Sequence, residues 1–164
     1  MKFLFTLVAS LILSAAVAQT SEKEINQQVW KVFIKSYNAF DTEQFMSLYS
    51  KDVVRVPQDE KKIFSFAEYK KNINRENQFN KNYKIKASLE IRFTQRISTP
   101  TTAFETGIYK ISMVENTGKK AVIYNRFQVL LRKENGVWKI FVDTDSAEDG
   151  KITDKEFMAA KPME

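Results

Sequence analysis

VIYNRFQVLLRKENGVWKIFV, from Val122 to Val142, is the stretch whose reading decides the fold of this chain. Two apolar runs flank the pair Asn135-Gly136, and the second run opens on Trp138. Asn and Gly both accept the positive φ that a tight two-residue turn needs, so an Asn-Gly pair between alternating runs is a strong hairpin signal. The stretch predicts a strand over Lys120–Lys133 turned directly into a strand over Val137–Asp143.

Outward from that hairpin the same period continues upstream. From Lys84 to Ser98, Ile85, Ala87, Leu89, Ile91 and Phe93 alternate with Lys84, Lys86, Ser88, Glu90 and Arg92. That is a strand with one buried and one wet face. Pro100 ends it, Thr102–Val114 reads as the next strand, and Glu115-Asn-Thr-Gly118 as the turn into Lys120. Asp52–Pro57 and Lys62–Phe64 are shorter strand candidates.

The first half has a helical period instead. Ser21-x-x-Glu24, Asp41-x-x-Gln44, Ser65-x-x-Glu68 and Thr153-x-x-Glu156 all have the spacing at which a first side chain accepts from a backbone N–H and the third residue on reaches back. Behind Ser21 runs the stripe Ile25, Val29, Val32, Phe33, Tyr37 and Phe40. The box at Thr153 predicts a short C-terminal helix, Lys155 to Lys161, stopped by Pro162. Helices gathered first and strands last make an α+β class: three N-terminal helices packed on one face of a curved, mainly antiparallel sheet.

Met1-Lys2, the apolar run Phe3 to Leu13 and the small residues ending Ala16-Val17-Ala18 have the form of a secretory signal peptide, residues 1–18, cut before Gln19. The run is too short for a span of ~20 residues. No Cys follows the cut, which argues against a lipid-anchored protein. The expectation is a secreted or periplasmic protein with one domain over residues 19–164 and no membrane span.

Composition bounds the chemistry. The formal charge of +6 falls to +5 once Lys2 is removed, too small an excess for a nucleic-acid binder. The Lys/Asn-rich stretch Lys70 to Lys86 reads as a solvated helix end and loop. There is no Cys and no His, so the usual thiol nucleophile and neutral-pH base are absent, as are Cys or His metal sites. No cofactor is expected. With 43% hydrophobic residues and thirteen Phe, the core must carry stability without disulfides. Trp30 and Trp138 read as core aromatics.

Several landmarks in order carry a resemblance: Tyr37-Asn-Ala-Phe-Asp41, Leu48-Tyr-Ser-Lys-Asp52-Val-Val, Ala103-Phe-Glu105-Thr-Gly107-Ile-Tyr109, and Gly136-Val-Trp138-Lys-Ile140. Together they resemble the nuclear transport factor 2-like superfamily, which includes SnoaL-like cyclases and ketosteroid isomerases. The resemblance implies a cone-shaped α+β barrel with a pocket at its open end, and commonly a homodimer through the outer sheet face. It does not carry over the isomerase residues: the catalytic Asp position before Pro57 is Val56, and the oxyanion Tyr position is Phe33.

Alternation names other candidates. On Lys120–Lys133, Ala121, Ile123, Asn125, Phe127, Val129 and Leu131 share a face on which Asn125 is the polar interruption. On the preceding strand Glu105 and Tyr109 flank Gly107 on one side. If these are the concave faces, Glu105, Tyr109 and Asn125 converge, and a carboxylate in apolar surroundings has a raised pKa suited to acid–base work. Alternatively Glu105 pairs with an Arg such as Arg126, or faces water. Tyr49 and Arg55 are further pocket candidates. Asp145, Asp149 and Glu156 have the spacing of a calcium loop, but Ala147 holds the third position and a strand precedes it, so an acidic turn is the expectation.

Three functions fit: a pocket that binds a small apolar or amphipathic ligand without catalysis; an isomerase, cyclase or dehydratase using Glu105; or a dimeric interaction module with a filled pocket.

Overall fold

The computed structural model describes residues 20–164, so the signal-peptide reading lies outside the described residues. Helix α1 spans residues 20–38. Its middle, Asn26–Trp30, is a π-helical turn, followed by the α-helical stretch Lys31–Asn38. The box at Ser21 does not cap it: Ser21 already lies in the helix, and its Oγ donates to the Thr99 carbonyl at 3.0 Å. Glu24 instead accepts from the indole of Trp138 at 3.0 Å.

The other three boxes work as helix starts. Asp41 accepts from the Gln44 N–H at 3.0 Å and opens α2, Thr42–Met46. Ser65 opens α3, Phe66–Asn82, with its own N–H held by Glu68 at 2.8 Å. Thr153 opens α4, Asp154–Ala159, in the same way, its N–H held by Glu156 at 2.9 Å. That last helix ends earlier than its pattern suggests, because Lys161–Pro162 leave it as a two-residue strand, β6, paired to Arg92 and Phe93.

Five longer strands complete the sheet: β1 Tyr49–Pro57, β2 Lys86–Ser98, β3 Thr102–Val114, β4 Lys120–Glu134 and β5 Val137–Ser146. Their order is β1-β5-β4-β3-β2-β6, with β1 parallel to β5 and the other pairs antiparallel. The expected strand at Lys62–Phe64 shrinks to one bridge between Arg55 and Phe64, since Ser65 starts α3 immediately after it. The opening hairpin is as its sequence predicts: Glu134 pairs with Val137, and Asn135 and Gly136 have φ of 49° and 82°.

The sheet does not close on itself, and helices cover its concave face. Ile25, Val29 and Trp30 of α1 and Phe45 of α2 bury against Leu89, Phe93, Leu131, Trp138 and Ile140. Gly107 permits the tightest contact there, because a Cβ would lie 2.1 Å from the Arg92 carbonyl and 2.6 Å from the Phe127 ring. On the convex face α4 seals a smaller cluster of Ile108, Ile152 and Phe157.

Two β-bulges decide which polar groups enter the cone. In β5, Leu131 pairs with Ile140 but Leu130 pairs with Val142, leaving Phe141 as an extra residue. Trp138 and Ile140 point inward, and past the bulge Asp143 and Asp145 do so too. Unbroken alternation would have sent both aspartates outward. In β2, Thr94 is the extra residue between Phe93 and Gln95, and it puts Arg96 opposite Glu105 on the inner side.

Candidate functional site

The cone encloses a cavity of about 480 Å³ between α1, α3 and the inner face of the sheet. Trp30 and Phe33 from α1, Phe45 from α2, Ile73 from α3, Ile91 from β2 and Phe127 from β4 make much of its apolar wall. A polar cluster occupies the wall built by β1, β5, β3 and β4. Arg55 is 9% exposed, and its Nη2 donates to both oxygens of Asp145 at 2.8 Å. Tyr109 donates to the same carboxylate at 2.6 Å. Asp143, 8% exposed, accepts from the Tyr49 hydroxyl at 3.0 Å and has its Oδ2 3.7 Å from Arg55 Nε. Tyr69 from α3 lies under the guanidinium, 5.4 Å from ring centre to Cζ.

Burial sets the protonation tendencies. It pushes the Asp143 carboxyl above the usual range, against the pull of Arg55 and with the repulsion of Asp145. It also pushes the phenols of Tyr49 and Tyr109 well above theirs, with the neighbouring aspartates reinforcing the shift. For Arg55 burial works against the charge, but Asp143, Tyr69 and Asp145 outweigh it and the guanidinium stays cationic. Tyr37, at the helix side of the cavity, is pushed up to about 12 by burial.

Tyr109 and Asn125 meet across β3 and β4 as register partners, both lining the cavity. Arg55 lines it as well, while Tyr49 stands one layer behind and holds Asp143 in place. Glu105 does not join them. It lies two inward positions from Tyr109 along β3 and is fully buried. Its Oε2 accepts from the Trp30 indole at 2.6 Å and its Oε1 from Arg96 Nε at 2.8 Å. Its Arg partner is therefore Arg96; Arg126 bonds Glu148 instead. Burial raises the Glu105 carboxyl, with Arg96 and Trp30 pulling it back.

Phe33 lines the cavity, but Val56 does not, since it pairs with Thr144 while Arg55 takes the inward place beside it. Asp145, Asp149 and Glu156 do not converge. Arg55 and Tyr109 hold Asp145, Asp149 stands on an exposed turn beside Lys151, and Glu156 caps α4. Among the described residues no group of three or more Asp and Glu is placed to hold a metal ion. Asp143 and Asp145 escaped the sequence reading as cavity residues; the one signal for them was two acids at alternate positions after an apolar strand.

The fold and the site together define an α+β cone with an internal, largely apolar cavity and a buried polar cluster on its sheet wall. The sequence matches no protein-family model and no curated protein. Solved structures do match in fold. A nuclear transport factor 2-like protein of unknown function from Shewanella oneidensis is 18% identical at a TM-score of 0.58, over 76% of this chain and 97% of that one. A ketosteroid isomerase-like protein from Erwinia carotovora atroseptica is 14% identical at 0.56, over 80% and 93%. Another nuclear transport factor 2-like protein of unknown function, from Pseudomonas putida, is 13% identical at 0.59, over 79% and 88%. The chain has the nuclear transport factor 2-like fold.

Proposed function

We propose that this is an exported, one-domain protein that binds a small amphipathic molecule in its cone without transforming it. The observation that carries this reading is the cavity itself, a largely apolar volume with a buried polar cluster on its sheet wall. Such a layout holds an apolar body by burial and orients a polar end by a few directed bonds. A second reading, acid–base catalysis, draws on the raised Asp143 carboxyl in place of Glu105, which lies sealed behind Trp30. The open cavity speaks against a module whose pocket is filled by its own side chains. A homodimer accords with exposed Ile97, Val122 and Leu130 on the convex sheet face, and light scattering would test it.

Nile red, a neutral dye that brightens in apolar surroundings, tests the cavity. It should fluoresce with the mature protein and lose that signal in Ile123→Trp, which fills the mouth from a position already 40% exposed. An undiminished signal in that variant would overturn the reading. Native mass spectrometry of the purified protein would then identify any molecule that copurifies.

A further inference from the structure

The cavity has a charge and hydrogen-bond balance that selects among amphipathic ligands. Asp59, Glu60, Glu76, Asp143 and Asp145 line it, and among the described residues Arg55 is the cation beside them. The chain as a whole is basic, at +6, so this acidic interior runs against the composition around it. Asp59 is spent on Ser146 and the Ala147 N–H, and Glu60 on Lys62 outside. At the deep end two aspartates face one guanidinium, which leaves one negative charge in excess.

Two buried polar atoms there lack hydrogen-bond partners, one acceptor and one donor. The Oδ1 of Asn125 is buried with no hydrogen-bond partner. The other is Arg55 Nε, a donor 3.7 Å from Asp143 Oδ2; the Tyr49 bond also falls on that Oδ2, and Asp143 lines the cavity beside Asn125. A buried acceptor without a donor is costly, so a ligand that donates to Asn125 Oδ1 gains what the site lacks, and the Asp143 carboxylate beside it adds charge. At the mouth Glu76 has no hydrogen bond or ion pair, and Tyr109 and Phe127 line the space between, with Tyr69 already under the Arg55 guanidinium. A cation packs well against such rings.

Resting on the amphipathic-ligand reading, we propose that the natural ligand is an organic amine: an apolar body with an ammonium group that donates to Asn125 and Asp143. An inorganic cation would leave the apolar wall unused. A carboxylate ligand could take the Arg55 Nε donor but would meet the excess negative charge and the open Asn125 acceptor.

The test uses octylamine, octanol and octanoate, which share one chain and differ in the end group, titrated calorimetrically into the mature protein at neutral pH. Octylamine should bind at least about tenfold tighter than octanol, and octanoate most weakly. Asp143→Asn should abolish the amine preference while octanol binding persists. Should that variant fold poorly, Glu76→Gln, at the exposed mouth, should lower octylamine affinity alone by a smaller factor. If octanol equals octylamine, or octanoate binds tightest, the amine proposal falls and the amphipathic-ligand reading stands. If none of the three binds and Nile red also fails, both fall.

Discussion

Two buried Arg–carboxylate clusters lie on the same inner sheet face, each delivered by a bulge, and they differ in how they balance. Behind Trp30, Glu105 meets Arg96, with the indole on its second oxygen, Asn26 on Arg96 Nη2 at 2.8 Å and the partly exposed Glu22 3.9 Å from Arg96 Nη1. In the cavity wall, Asp143 and Asp145 share Arg55, and one acceptor, Asn125 Oδ1, and one donor, Arg55 Nε, stay buried without a hydrogen-bond partner. The first cluster is complete and sealed, and it locks the π-helical turn of α1 to β2 and β3. The second leaves one donor and one acceptor unpaired beside a cavity. Identical residue types thus fill every buried hydrogen-bonding position in one cluster and leave two unfilled in the other.

The sharpest way to break that contrast is Glu105→Ala. It strands Arg96 and the Trp30 N–H in the core, and chemical denaturation should show a loss of about 3–5 kcal/mol. A loss under about 1 kcal/mol would mean that the cluster is not structural. Gly107→Ala comes next, at about 2–3 kcal/mol, since the added methyl overlaps a backbone carbonyl that cannot move aside within the sheet.

Asp143→Asn should go the other way, leaving stability at neutral pH unchanged or higher by about 1 kcal/mol, because it removes the surplus charge. Its pH dependence has a definite sign. The folded Asp143 carboxyl is raised above the unfolded value of ~3.9, so the folded state binds more protons in that window. The Asp143 contribution is therefore full below ~3.9 and is lost as pH rises through the folded value. Melts across pH should show wild type gaining on the Asn variant toward acid; a constant difference would remove Asp143 from the account. Asn125→Leu is the smallest effect, below about 1 kcal/mol, as it deletes an acceptor that has no donor.

The fold was legible because its signals are local. The Asn135-Gly136 turn, the capping boxes at Ser65 and Thr153, the Asp41 N-cap and the alternation of β3 and β4 need no tertiary knowledge. Tyr109 and Asn125 were legible for the same reason: β3 and β4 pair without a break from Thr102 and Arg132 to Val114 and Lys120. Asp143, Asp145 and Arg96 were hidden because Thr94 and Phe141 each interrupt the two-residue period just before them. A bulge is chosen by the packing of both strands together, and one strand's side chains do not declare it. Ser21 misled for a different reason, since a capping pattern inside a longer helix looks the same as one at its start.

The extra residue at Phe141 also bears on how this chain is to be aligned with others. A strand that stores one residue of length in its middle can be matched to an unbulged relative only with a gap inside the strand. An alignment that runs through β5 without that gap would set Asp143 and Asp145 against outward-facing positions of the relative. At identities of 18% and below, such a slip would erase the correspondence of two cavity residues at once. Structure-guided placement of single gaps at Thr94 and Phe141 is thus the condition for tracing this cavity through other sequences.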